Sequence, residues 1–384
     1  MNLDRLRDHF EKNFSERGEL GASVSVFKDG EEILTLSQGF RDRDRTLPWD
    51  EETLVPVWSA TKGPAAVTFL MVLDEAGLRP GDAVSKVWPE LRAARGGLTF
   101  GQLLCHQSGL PAIDESVSTH VLQHRGVVAA LEQQEPAWEP GKDHGYHPRT
   151  IGFLLEEIVR RLSSAKSFGE IWIERLARNQ RIDFWIGKLD ADAVDRIATM
   201  IPPKVQRPTE AEIPFYRSLA EPDSLARRAF ASPGGMRALS DINGLEYLQA
   251  GFPAFGGVGS AKALAQFYQI LAQGGFANGV EVIPKAVMDA IRVPGRTRLD
   301  QTLLLPTQFT GGLMRDPVDE QGQKSRDIFG PSLRALGQPG AGGSHAFADP
   351  EHGISFAYVM NQMEAGILPN EKSLGLVDAL YDDL

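Results

Sequence analysis

The chain has little cysteine and fewer basic than acidic residues. Its only cysteine, Cys105, cannot form a disulfide within the chain or a zinc site of several cysteines, so nothing calls for an oxidising compartment. The 40 lysines and arginines against 51 aspartates and glutamates give a net charge of −11. An acidic surface repels phosphate backbones, which argues against nucleic acid as a partner.

Long apolar runs are also missing. The longest, residues 65–73, has Thr68 inside it and is far shorter than the roughly 20 apolar residues that a helix needs to cross a bilayer. The first residues place Leu3, Leu6 and Phe10 at helical spacing instead of forming the apolar stretch of a signal peptide. We therefore expect a soluble cytoplasmic protein without a membrane span.

The rest of the composition is that of a folded protein, with 42% hydrophobic and 24% charged residues. Strand-forming segments flank Asp29-Gly30, a dipeptide that predicts a hairpin. The spacing then becomes helical from about residue 60 to residue 250, where Thr99 with Gln102 and Ser167 with Glu170 are capping-box patterns that predict helix starts. Strand patterns return near the end, at residues 309–314, 345–348 and 354–360, before a final amphipathic helix.

This order of elements predicts two domains. We expect an α/β domain built from residues 1–60 and 250–384, with a mostly helical domain, residues 61–249, inserted between its halves. Six prolines fall between residues 201 and 233, at positions 202, 203, 208, 214, 222 and 233. Because proline interrupts regular structure, we expect a crossing loop or lid there, bordering a site.

The segment from Trp58 to Lys62 carries a candidate nucleophile. Ser59 and Lys62 are three residues apart and share a face if the segment is helical. A serine hydroxyl is a weak nucleophile until a neighbour takes its proton, and a desolvated lysine can do so. Spacing alone does not decide, because Ser163 and Lys166 repeat it at the polar end of a surface helix, where we expect no function.

Three ordered segments, Gly21–Val26, Trp58–Lys62 and Leu103–Leu110, together resemble the serine β-lactamase and penicillin-binding superfamily. They look most like its class C and family VIII carboxylesterase branch. The resemblance implies an α/β (α+β) fold, an antiparallel sheet flanked by helices with an inserted all-α domain and the active site in the cleft between them. It also implies Ser59 as the nucleophile, Lys62 as its proton partner, and no cofactor or metal.

A second superfamily motif resembles the segment around Gly145-Tyr146-His147-Pro148, which implies Tyr146 as the catalytic tyrosine. A phenol near an ammonium loses its proton more readily, so Tyr146 beside Lys62 is expected to share proton transfer. Without the other two motifs, the same tyrosine would be interpreted as a packed surface aromatic. Penicillin-recognising members carry an asparagine where this chain has Pro148.

The third motif, Lys-Thr-Gly in many members, is similar to Gln338-Pro339-Gly340-Ala341. Lysine and threonine there can bind a substrate carboxylate, whereas Gln338 and Pro339 offer much less. The resemblance implies an oxyanion hole formed by the Ser59 and Ala341 amides, with Gly340 and Gln338 beside the substrate. The same glycines would also fit a hairpin turn with a purely structural role.

Three other patterns suggest different chemistry. Cys105-His106 could be a cysteine nucleophile and its base, although adjacent residues do not simply face each other. His144 and His147, near Asp143, could bind a metal, but loop histidines near a site more often support it by hydrogen bonding. The glycine-rich segment before Ser260 lacks a dinucleotide-binding context and is expected to be a loop and a helix cap, with a substrate-side role as a secondary hypothesis.

We therefore expect a serine carboxylesterase that cleaves small, mostly uncharged esters through an acyl-enzyme on Ser59. β-Lactams or D-peptides on the same site remain an alternative, and so does a non-catalytic scaffold on the same fold. The sequence leaves open the natural ester, the choice between Lys62 and Tyr146 as the acylation base, and whether the chain forms a homo-oligomer.

Overall fold

The structure is a computed structural model that describes residues 3–204 and 209–384. Its α-helices are α1 Asp4–Ser15, α2 Lys62–Glu75, α3 Phe100–Leu104, α4 His124–Gln133, α5 Thr150–Leu162, α6 Phe168–Trp172, α7 Arg178–Gln180, α8 Ala191–Asp195, α9 Ile213–Ala220, α10 Leu225–Ala231, α11 Leu245–Ala250, α12 Ala261–Ala272, α13 Lys285–Arg292 and α14 Glu371–Asp382. Its strands are β1 Gly21–Lys28, β2 Glu31–Gly39, β3 Val55–Pro56, β4 Phe184–Ile186, β5 Gly257–Gly259, β6 Phe276–Ala277, β7 Val280–Glu281, β8 Arg298–Leu299, β9 Pro306–Thr310, β10 Leu313–Arg315, β11 Leu336–Pro339, β12 His345–Asp349 and β13 Ile354–Met360.

An eight-stranded antiparallel sheet forms the centre of the molecule, in the order β2-β1-β13-β12-β11-β10-β9-β8. The predicted hairpin joins β1 to β2, and both turn residues, Asp29 and Gly30, have positive φ. The sheet therefore combines two strands near the start of the chain with six from its last third.

The central strands are buried on both faces. Every residue of β13 is buried, and so is all of β1 except its last residue. Helix α12 packs against β1, β12 and β13, while α1 and α14 pack on each other. Alternating faces of a strand point to opposite sides of a sheet, so full burial requires cover on both sides. The α/β architecture expected from the sequence is confirmed.

Several helix starts follow the predicted capping patterns. The Thr99 hydroxyl accepts the Gln102 N–H at 3.2 Å, and the Gln102 side chain accepts the Thr99 N–H at 2.9 Å. Ser167 and Glu170 form the same reciprocal pair before α6. Ser260 accepts the Ala263 N–H at 3.1 Å and begins α12. The division of the chain into two domains stays a prediction.

The proline-rich segment differs from the expected loop. Pro208 lies outside the described residues, but α9 and α10 are two short helices within the segment. Pro214 sits in the first turn of α9, where its missing N–H would have had no helical partner anyway. Ser224 caps α10 by accepting the Arg227 N–H at 3.1 Å. The prolines mark helix ends here and do not prevent helices.

Two other expectations need correction. Residues 309–314 do not form one strand, because Gly311 and Gly312, both with positive φ, make a turn between β9 and β10. The glycine-rich segment before Ser260 is not only a loop, since β5 pairs with β3 and β4 in a small antiparallel sheet. Within the described ranges, no helix has both the length and the apolar character needed to cross a membrane.

Candidate active site

The small sheet holds the backbone that precedes Ser59. Val57 donates its N–H to the Gly257 carbonyl at 2.9 Å, and the Thr61 hydroxyl accepts the Gly257 N–H at 2.8 Å. Trp58 has a φ of 52°, a conformation that bulky residues rarely adopt. Such backbone strain persists only where the surroundings hold it, and it places Ser59 at the start of a short 3-10 turn that leads into α2.

Lys62 is the first residue of α2, and its side chain turns back towards Ser59. Its Nζ lies 3.3 Å from Ser59 Oγ, 3.0 Å from the Pro148 carbonyl and 2.8 Å from the Ala254 carbonyl. The side chain is buried, and it forms no ion pair with any carboxylate in the described ranges. Burial without a countercharge holds the pKa of Lys62 well below its usual value.

Tyr146 lies on the other side of Ser59. Its hydroxyl is near enough to the Ser59 side chain to interact with it, and its ring centroid is 4.6 Å from Lys62 Nζ. The ring stacks on Phe309 with an interplanar angle of 11° and contacts His106 at a centroid distance of 4.9 Å. The structure thus brings together the three side chains that the motifs singled out.

The pKa of Tyr146 moves in the direction opposite to the one expected from the sequence. Burial raises it above the usual value of 10.0, and the negative charge of Asp300 adds to that effect. The interaction with Ser59 lowers it by less. The expected lowering assumed a neighbouring ammonium, whereas burial disfavours the charged form of Lys62 and of Tyr146 alike.

Gln338 is a buried residue near the end of β11, and its side chain faces Tyr146. Its Nε2 lies 3.4 Å from Tyr146 Oη and 3.3 Å from the Pro339 carbonyl, and its Oε1 has no hydrogen-bond partner in the part of the chain that the structure describes. Because the Pro339 carbonyl can only accept a hydrogen bond, the Gln338 amide must turn its nitrogen towards Pro339 and Tyr146. Gln338 therefore donates to the tyrosine oxygen.

The chain after Gln338 passes very close to the backbone before Ser59. A Cβ on Gly340 would lie 2.1 Å from the Val57 carbonyl oxygen, so only glycine fits there. The Gly340 N–H donates to the Ser344 carbonyl at 2.6 Å and closes the turn between β11 and β12. The segment is therefore a hairpin turn, and its residue Gly340 packs against the backbone two residues before Ser59.

The Leu103–Leu110 motif supports the tyrosine segment. The His106 carbonyl accepts the Gly145 N–H at 3.2 Å, and His106 Nδ1 accepts the His147 N–H at 3.2 Å. The Leu110 carbonyl accepts the Thr150 hydroxyl at 2.7 Å. Burial lowers the pKa of His106 well below its usual value, so the ring packs as a neutral group against Tyr146.

The contacts of His144, His147 and Cys105 favour neither the metal hypothesis nor the cysteine hypothesis. His144 bonds to Thr307 Oγ1 at 2.8 Å, whereas His147 bonds to Ser108 Oγ at 2.8 Å and to the Gly145 carbonyl at 2.5 Å. In residues 3–204 and 209–384, no three metal-ligating side chains converge. Burial raises the pKa of the Cys105 thiol, which disfavours the thiolate that a cysteine nucleophile needs.

No sequence pattern pointed to Asp300, which lies directly under Tyr146. Its carboxylate accepts the Tyr146 N–H through both oxygens, at 2.9 and 3.0 Å. It also accepts the Thr302 and Leu303 amides at 2.9 and 2.8 Å and the Thr307 hydroxyl at 3.1 Å. Asp300 is fully buried, and burial raises the pKa of its carboxyl to about 6.

The fold is that of the β-lactamases and penicillin-binding proteins. The Beta-lactamase family model matches residues 6–372, and the chain belongs to that family.

Relatives with esterase and penicillin-binding names span most of this chain. It is 29% identical over 349 residues to Esterase/beta-lactamase LipL of Mycobacterium tuberculosis (strain ATCC 25618 / H37Rv), a match that covers 89% of this chain and 77% of LipL. A penicillin-binding protein homologue from Caulobacter crescentus is 32% identical with a TM-score of 0.87, and covers 100% of this chain and 97% of its own. A family VIII carboxylesterase is 28% identical with a TM-score of 0.84 and the same coverage. The chain is thus a hydrolase of the β-lactamase superfamily.

Proposed function

We propose that this protein is a serine carboxylesterase that hydrolyses small, mostly uncharged esters through an acyl-enzyme on Ser59. The observation that carries the proposal is the buried, unpaired Lys62, whose Nζ lies 3.3 Å from Ser59 Oγ. A neutral amine at that distance can take the serine proton as the hydroxyl attacks a carbonyl carbon. Ser59 and Lys62 then have the roles that the sequence motif implies.

The hydrogen-bond directions support Lys62 as the base. A neutral Lys62 amine has two N–H groups and one lone pair, which match two carbonyl acceptors, Pro148 and Ala254, and the Ser59 hydroxyl. On the other side, Gln338 donates to Tyr146 Oη, which leaves the phenol proton for Ser59 Oγ. Lys62 is then the base for acylation, and Tyr146 is the acid that protonates the leaving alcohol.

The oxyanion hole is proposed at the amides of Ser59 and Ala341. Neither N–H has an intramolecular acceptor among the hydrogen bonds of the described residues. Gly340 passes close over the Val57 carbonyl, which holds the turn that carries Ala341 against the backbone just before Ser59. Each donor aimed at the developing negative charge contributes roughly 2.7 to 4 kcal/mol to transition-state stabilisation.

The residues near Ser59 favour uncharged substrates. Gln338 replaces a cation that could hold a carboxylate, and its neighbour Pro339 has no N–H to donate. Pro148 replaces an amide side chain, and its carbonyl is occupied by Lys62. The names of LipL and of the family VIII carboxylesterase support the ester assignment.

Two other functions are tested by the same experiment. The name of LipL also includes β-lactamase, which keeps β-lactams and D-peptides as a second candidate for this site. A non-catalytic scaffold on the same fold is the third. Cytoplasmic location stays a prediction, and whether the chain forms a homo-oligomer stays open.

The test compares hydrolysis of p-nitrophenyl butyrate and of nitrocefin by the wild type, Ser59→Ala and Ser163→Ala. Ser163 is the matched control, because it has the same spacing to a lysine but donates its hydroxyl to the Val159 carbonyl at 2.6 Å. We expect ester turnover to fall at least about 1,000-fold in Ser59→Ala and to persist in Ser163→Ala. Nitrocefin turnover at the ester rate would favour the second candidate, and no turnover of either substrate would favour the scaffold.

A further inference from the structure

Asp300 and its neighbours form a buried polar cluster under the candidate tyrosine that the proton route does not use. The cluster consists of Asp300, Thr307, His144 and the Tyr146 amide. All of these side chains are at least about nine-tenths buried. Asp300 comes from the turn after β8 and reaches a residue 154 positions earlier in the chain.

The hydrogen bonds in the cluster have one consistent direction. The Thr307 hydroxyl donates to Asp300 Oδ2 at 3.1 Å, so it accepts at 2.8 Å from His144 Nε2. Burial lowers the pKa of His144 to about 4, so this histidine is neutral and carries its proton on Nε2. The chain of donors therefore runs from His144 through Thr307 to Asp300.

We propose that ionised Asp300 is a positioning residue, which holds the Tyr146 backbone in the position from which the phenol oxygen can reach Ser59 Oγ. The Tyr146 N–H lies between the two carboxylate oxygens, at 2.9 and 3.0 Å. Hydrogen bonds to a charged acceptor are roughly twice as strong as neutral ones. The inference rests on the proposed function, because it assigns a part to Tyr146 in that reaction.

Loss of the charge should disturb this one contact most. In Asp300→Asn, the amide nitrogen would replace Oδ2 and stand about 3 Å from the Tyr146 N–H, so that two donors would face each other. Rotating the amide would instead point its nitrogen at the amides of Thr302 and Leu303, which now bind Oδ1. A protonated Asp300 would still accept the Tyr146 N–H, but without the negative charge that strengthens this hydrogen bond.

The groups that face Asp300 are few. His144 Nε2 lies 3.9 Å from Oδ2 and stays neutral, and Arg298 acts only on His144, as a nearby positive charge. Tyr146 contributes a phenol that stays protonated in the working range of pH. Because burial raises the pKa of Asp300 to about 6, its charge is complete above about pH 7 and is lost as the pH falls towards 5.

The test is the ratio of kcat between the wild type and Asp300→Asn from pH 5 to pH 8, with p-nitrophenyl butyrate as substrate. We expect kcat to fall about 10-fold or more in the variant above pH 7, with KM changed less than twofold. The ratio should shrink below pH 6, because the wild type then loses the charge of Asp300 itself. Titration of Lys62 affects both proteins alike and so cancels in the ratio. A ratio that stays flat across this range, or a loss confined to KM, would overturn the proposal.

The matched control is Asp316→Asn. Asp316 is also a buried aspartate that accepts backbone amides, from Ile328 and Phe329 at 3.0 and 3.1 Å, but it pairs with Lys324 and does not touch the site. We expect its kcat per folded molecule to stay within about twofold of the wild type.

A second readout does not need turnover. Amide hydrogen exchange of the peptide that contains Tyr146 should be faster in Asp300→Asn than in the wild type at pH 7.5, and not in Asp316→Asn. Unchanged exchange would refute the positioning role even in a protein without esterase activity. Absence of ester turnover in the wild type, by contrast, would contradict only the proposed function.

Discussion

The burial of Asp300 should make the stability of this protein depend on pH in a way that one substitution reveals. Burial raises the pKa of Asp300 from 3.8 to about 6, and at about 1.36 kcal/mol per unit the shift corresponds to about 3 kcal/mol. A raised pKa means that the folded state binds this proton more tightly than the unfolded state does. The stabilisation is complete below about pH 4 and is lost as the pH rises through 6.

Asp300→Asn removes this titration and leaves the others in place. The difference in unfolding free energy, wild type minus variant, should therefore fall by about 2 kcal/mol between pH 4.5 and pH 7.5. For a chain of 384 residues, with an unfolding entropy of about 2.1 cal/mol/K per residue, this is about 2 to 3 °C in Tm.

The assay is a thermal unfolding series for both proteins across that range, with Asp316→Asn as the control for a buried aspartate paired with a lysine. The diagnostic quantity is how the Tm difference between wild type and variant changes with pH, so a cost of the substitution that does not depend on pH cancels. A Tm difference that stays constant, or that moves in favour of the wild type as the pH rises, would refute the reasoning.

Four further predictions concern the site. Lys62→Met should lower kcat/KM for p-nitrophenyl butyrate about 100-fold or more, since it removes the base but keeps the volume, whereas Lys166→Met should leave it unchanged. In the wild type, kcat/KM should fall as the pH drops through the lowered pKa of Lys62, because only the neutral amine accepts a proton; a rate that rises on acidification would contradict this assignment. Gly340→Ala should lower kcat at least about 10-fold, because its Cβ would meet the Val57 carbonyl at 2.1 Å and push Ala341 away from Ser59; an unchanged kcat would remove Ala341 from the oxyanion hole. Cys105→Ala should keep ester turnover within about twofold of the wild type, and its loss would reopen the cysteine hypothesis.

The sequence predicted the parts of the fold that depend on local signals. The hairpin at Asp29-Gly30, the capping boxes at Thr99 and Ser167, and the cap at Ser260 all follow from neighbouring residues. The proline-rich segment was misjudged because Pro214 is harmless in a first helical turn, and composition does not show where a helix begins.

The sequence predicted those residues of the candidate site that belong to its motifs. Ser59, Lys62, Tyr146 and Gln338 come together as the ordered motifs implied. The direction of the Tyr146 pKa was not predictable, because it depends on how deeply both Tyr146 and Lys62 are buried. Asp300 was missed because its contact with Tyr146 spans 154 residues and no motif surrounds it.

The most direct test of the central claim is covalent labelling with a fluorophosphonate, followed by intact mass and peptide mapping. We predict one label per chain, on Ser59, which is lost in Ser59→Ala and retained in Ser163→Ala, with ester turnover falling in proportion to labelling. Labelling at another residue, or no labelling while Ser59→Ala still hydrolyses p-nitrophenyl butyrate at the wild-type rate, would contradict the assignment of Ser59 as the nucleophile.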